Sequence, residues 1–169
     1  MNSEGTALCK ACGLCCSGHL FAWVKLRSPE LGPIEALGVP VVRNPAQRGF
    51  SQPCPLWQGI CTIYDAPSYP RACNTYKCKL LKRLLDESTP LDDALAVVRD
   101  AKSMIEEVES LLPASSNGNF RERLAVHLSD CMESTITEDL EFRKKARTLL
   151  EFYEAHFDVK DIFDTSEDL

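Results

Sequence analysis

Along the second half of the chain, apolar residues recur at three- and four-residue steps, the spacing that gathers them on one face of a helix. Leu91, Leu95, Val98, Ile105, Val108 and Leu112 form the clearest stripe. It predicts a long helix entered at Thr89 and Pro90, with Thr89 as cap, Pro90 in the first turn, and Asp92 and Asp93 at the positive end. "PASSNGN" at 113–119 ends it. Leu80, Leu81, Leu84 and Leu85 predict a preceding helix over 75–85. A third helix over 120–133 carries Leu124, His127, Leu128 and Cys131, and a fourth, capped by Thr137, runs through "EDLEFRKKARTLLEFYEAHF". The final "DVKDIFDTSEDL" is acidic and fits either a short docked helix through Val159, Ile162 and Phe163 or a frayed end.

The front of the chain has a different pattern. "HLFAWVKL" at 19–26 predicts a short strand, and Ser28, Pro29 and Glu30 open a helix that Gly38 stops before a second short strand, "VPVVR". Composition changes near Leu80: eight of the ten prolines and both tryptophans lie before it. There is no repeat and no low-complexity tract. The expected architecture is therefore an α-rich α+β protein, with a cysteine region over 1–85 packed against a helical region over 86–169 as one structural unit. Short strands in the first region would sit on three or four helices.

No apolar run approaches the roughly 20 residues of a membrane span. The opening "MNSEGTALCKAC" lacks the basic start and apolar stretch of a secretory signal, which predicts a cytoplasmic protein. The net charge of −6 argues against nucleic acid as a partner, because that binding is driven by phosphate neutralisation. One basic patch stands apart, Lys77, Lys79, Lys82 and Arg83; its plainer reading is a solvated helix face.

Cysteine usage changes the picture most. Of nine cysteines, eight precede residue 79: Cys9, Cys12, Cys15, Cys16, Cys54, Cys61, Cys73 and Cys78. In a reducing compartment this pattern points to metal or redox chemistry rather than to disulfides. Thiolates crowded into one loop repel one another unless a cation offsets the repulsion. Cys9, Cys12 and Cys15 make C-x-x-C-x-x-C, with Gly13 easing the turn. Three thiolates at that interval resemble the loop that wraps three corners of a 4Fe-4S cluster in bacterial ferredoxins, and Cys54 followed by Pro55 resembles the remaining ligand. Structural zinc instead closes with four ligands from two turns. One cubane with spare thiols, one cubane plus one zinc, and two zinc sites all fit the count.

The second half of the cluster, "CPLWQGICTIYDAPSYPRACNTYKCKLL", completes a pattern that resembles the YkgJ-type cysteine-cluster family, described as a zinc- or iron-chelating domain. The family's C-x-x-C-x-x-C-C corresponds to Cys9, Cys12, Cys15 and Cys16. Its C-P-x-L-x-x-G-x-C-x-I-Y is close to Cys54, Pro55, Leu56, Gly59, Cys61, Ile63 and Tyr64, and its P-x-x-C with a later aromatic-x-C to Pro70, Cys73, Tyr76 and Cys78. The family has Arg before that proline where this chain has Tyr69, and the interval from Cys61 to Cys73 is two residues longer than its usual one. The resemblance covers about residues 5–85. It implies a metal held by the eight cysteines, with iron-sulfur annotation in some members, and assigns no reaction.

Around the cluster, Tyr64, Tyr69 and Tyr76 interleave with the cysteines as shields against water or as core. His19 reads as an outer ligand or a loop residue, while His127 and His156 read as ordinary helix residues. Trp23 and Trp57 read as core, Cys131 as a buried small hydrophobe, and Asp65 as a turn residue. No triad order, phosphate loop, dinucleotide fingerprint or zinc-protease motif is present, so no catalytic motif stands apart from the cluster. The sequence points first to an iron-sulfur protein that carries electrons or senses redox state through a protein partner. The alternative is a zinc-stabilised interaction module with no redox role; a labile thiol metallochaperone is a third reading.

Overall fold

The computed structural model of the chain describes residues 3–44, 47–113 and 118–159. Seven helices and three strands follow in order among them: α1 (Ser3–Cys12), β1 (Trp23–Lys25), α2 (Ser28–Glu35), β2 (Val42–Arg43), β3 (Arg48–Ser51), α3 (Arg71–Thr75), α4 (Lys79–Leu85), α5 (Leu91–Leu111), α6 (Phe120–Asp130) and α7 (Thr137–Phe157). This is a helix-rich α+β fold with one small antiparallel sheet.

Two hydrophobic cores organise it. The larger lies among α1, α4, α5, α6 and α7, where the stripe anticipated on α5 buries Val98, Ile105 and Val108 against Phe142, Leu149 and Tyr153 of α7. Ala94, Ala101 and Ala146 are fully buried beside them, and such small side chains let helices approach closely. The smaller core sits between the sheet and α2. Strand order is β1-β3-β2, with Val24 opposite Phe50, and these two pack with Leu26, Leu31, Ile34 and Val39. Glu30 fastens this unit at both ends: its carboxylate accepts the Arg27 N–H at the start of α2 and the Arg71 N–H at the start of α3, each at 2.6 Å.

Several expectations are corrected in detail. Residues 3–12, whose cysteines resemble a ferredoxin loop, form helix α1 up to Cys12, with Leu8 buried in the larger core. The strand expected over 19–26 is confined to three residues, and the sheet's central strand is β3, which carries too little apolar pattern to be foreseen. The helix expected from Thr75 is broken: Thr75 ends α3, Tyr76 is extended, and α4 starts at Lys79. Pro90 rather than Thr89 occupies the N-cap of α5, and Ile136 rather than Thr137 that of α7, neither with a side-chain cap bond. Helices α1 and α4 share the larger core with the later helices. Val159 is buried in that core, and the alternatives for 160–169 lie outside the described residues.

Among the described residues, no helix is long and apolar enough to cross a membrane.

Candidate metal centre

The cysteines reach their positions by ordinary local structure. Helix α1 carries Cys9 and Cys12 and ends at Gly13, whose φ of +69° is the left-handed conformation glycine adopts without strain. Lys102 of α5 donates to the Ala11 carbonyl at 2.9 Å, placing a cation at the negative end of α1. A tight turn then presents Cys15 and Cys16, with the Ser17 N–H bonded to the Gly13 carbonyl at 2.9 Å. The Cys16 carbonyl accepts the Cys54 N–H at 2.8 Å, which brings the second cysteine segment alongside the first. That segment folds back on itself through a bridge between Trp57 and Cys61. Cys73 lies on α3, and Cys78 caps α4, its Sγ accepting the Leu81 N–H at 3.4 Å.

All nine cysteines are free thiols. Seven of the clustered eight, all but Cys54, line one cavity of about 80 Å³ whose walls include Trp57, Tyr64, Tyr69 and Tyr76. The interleaved tyrosines thus share one surface with the thiols. Tyr64 and Tyr69 lie 5.2 Å apart between ring centroids, Tyr76 meets Phe21 edge-on at 4.9 Å, and the Lys10 ammonium sits 4.8 Å over Tyr64. Trp57, expected in the core, is half-buried and forms cavity wall instead. Trp23 is buried as expected.

Charge coupling among the thiols is strongest within two groups, which Cys15, Cys16 and Cys12 also link to each other. Burial, followed by the neighbouring Cys78 and Cys12, pushes Cys9 up to about 12; burial, with Cys78 adding to it, pushes Cys12 up to about 11. Cys15 is raised well above the usual thiol range by burial, then by Cys12 and Cys78. In the other set, burial and then Cys61, Cys73 and Cys54 raise Cys16, while burial and then Cys54 and Cys61 push Cys73 up to about 12. Backbone N–H groups oppose the rise at several sulfurs: Leu14 at Cys12, Leu56 and Trp57 at Cys54, Ile63 and Tyr64 at Cys61, Leu80 and Leu81 at Cys78. Donors two and three residues beyond a cysteine stabilise sulfur in its anionic form. Without a cation these thiols are neutral; a bound metal ion reverses that balance.

Cys78 is the thiol that raises Cys9 and Cys12 most, and Cys61 is the thiol that raises Cys54. The reason is tertiary: α1 packs on α4, which sets the start of α4 beside Cys9 and Cys12. Among the described residues, no three or more His, Cys, Asp or Glu side chains converge into a ready-made metal-binding group.

Donor chemistry nonetheless fits a soft or borderline cation. The set is all sulfur, reduced and shielded by aromatic rings, and N–H groups aim at the sulfurs. A further polar atom awaits a partner: Gln52 lines the cavity, is 5% exposed, and its Oε1 has no hydrogen-bond partner among the described residues. Sequence reasoning missed Gln52, which has no chemical signature of its own in the motif.

The remaining candidates take plainer places. His19 is absent from the cavity wall; its Nδ1 meets Ser17 Oγ at 2.6 Å, its Nε2 lies 3.9 Å from Glu109, and its ring tilts on Phe120. It ties the cysteine turn to α5 and α6, and burial holds its pKa below the usual imidazole value. His127 packs on Phe142 and His156 on Phe152. Cys131 is buried at the end of α6. Asp65 holds a positive φ of 65° in a turn. Lys77 and Lys82 are exposed.

No family model matches the chain, and neither the curated proteins nor the solved structures contain a match.

Proposed function

We propose that this chain is a cytoplasmic metal-binding protein of the YkgJ-like cysteine-cluster type that holds an iron-sulfur cluster for electron transfer or redox sensing with a protein partner. One observation carries the reading: seven free thiols from four segments of the chain line a single aromatic-walled cavity, and the three-thiol loop meets Cys78 there. A 4Fe-4S cluster takes four thiolates and supplies reversible one-electron chemistry when bound. Cys9, Cys12, Cys15 and Cys78 would hold it. The rings of Tyr64, Tyr69 and Tyr76 would limit water, and sulfur-directed N–H groups such as that of Leu81 would tune its potential.

A zinc-stabilised interaction module is the second reading, favoured by the hairpin-like bridge between Trp57 and Cys61. It brings Cys54 and Cys61 from two close turns, the source from which structural zinc draws its ligand pairs. Anaerobic purification separates the two. The iron-sulfur reading expects brown protein with broad visible absorption that bleaches on reduction; colourless protein carrying zinc alone would remove it.

A further inference from the structure

We propose that the chain holds two separate four-thiolate centres, one on Cys9, Cys12, Cys15 and Cys78 beside the helical core and one on Cys16, Cys54, Cys61 and Cys73 beside the sheet core. This inference deepens the metal-binding reading above and rests on it.

Packing argues for the division independently of electrostatics. Cys9, Cys12, Cys15 and Cys78 all pack against the larger core, whereas Cys54 and Cys73 pack against the smaller one. Helix packing of α1 on α4 unites the first set. Two backbone links unite the second: the Cys54 N–H bonds the Cys16 carbonyl at 2.8 Å, and Cys61 bridges to Trp57, three residues beyond Cys54. Cys15 and Cys16 are consecutive in the turn yet belong to different sets, so the peptide between them is the wall that both centres share.

Four is also the right number on each side. A closed zinc site takes four ligands and a cubane takes four corner thiolates.

Stoichiometry tests this directly, with cobalt(II) alone as the probe on the reduced, metal-free full chain under anaerobic conditions. Thiolate-to-cobalt absorption should saturate at two equivalents in the wild type, and Cys78→Ser and Cys73→Ser should each retain one. Saturation at one equivalent, or loss of all binding in either variant with the other unaffected, would overturn the two-centre proposal while leaving the metal reading intact. No binding by the wild type would defeat both. Should either variant fail to fold, the wild-type count alone decides between one centre and two.

Discussion

Stripping metal from the loaded chain is expected to unfold the sheet unit and the 54–78 segment and spare the long helices. The sheet core has six buried residues, Val24, Leu26, Leu31, Ile34, Val39 and Phe50, against twenty-two in the helical core among the described residues. Two- to four-residue strands cannot stand on so little burial. Structural zinc contributes about 10–16 kcal/mol in small metal-dependent domains. That is comparable with the whole stability of a typical domain, about 5–15 kcal/mol. Hydrogen exchange after anaerobic chelation should show amide protection collapsing in β1, β3 and the 54–78 segment, with α5 and α7 retaining theirs. Unchanged protection in the sheet would mean that the fold of this half does not depend on metal.

Replacing one hydrogen at Gly13 should do nearly as much damage. A Cβ built there falls 2.0 Å from Trp57 Cζ2 and 2.2 Å from Cη2, well inside contact distance, at a φ that already disfavours any side chain. The Trp57 backbone is held by its bridge to Cys61, so relief of the clash must come from its ring. Left-handed strain and overpacking together put the cost of Gly13→Ala at about 2–5 kcal/mol, with weaker metal retention. Gly38→Ala supplies the comparison, since its φ is +84° with nothing within 4 Å of the added carbon, so it bears the strain alone. Thermal or denaturant unfolding of both variants reads the difference, and Trp57→Ala in the Gly13→Ala background should recover part of the loss. Equal destabilisation by Gly13→Ala and Gly38→Ala would show that the Trp57 contact carries no weight.

These two positions also illustrate what the sequence could reveal. The stripe on α5 was readable because a long surface helix must repeat its apolar face at a fixed period, whatever surrounds it. Helix α1 was hidden because its inner face is made of Gly5, Leu8 and cysteines, and treating cysteines as ligands removes them from the hydrophobic pattern. Strand β3, "RGFS", exists through pairing with β1 and β2 on both sides, a condition no local propensity encodes. The eight thiols could be named from their spacing. Their spatial grouping could not, because α1 with Cys9 and Cys12 meets α4 with its cap Cys78 through packing between helices distant in sequence.

Metal K-edge X-ray absorption on anaerobically purified, untreated protein tests the central claim most directly. A first coordination shell of sulfur alone is expected, thiolate sulfur at about 2.3 Å for zinc, or thiolate with cluster sulfide for iron. A shell of nitrogen and oxygen donors, or protein that carries no metal at all, would contradict it.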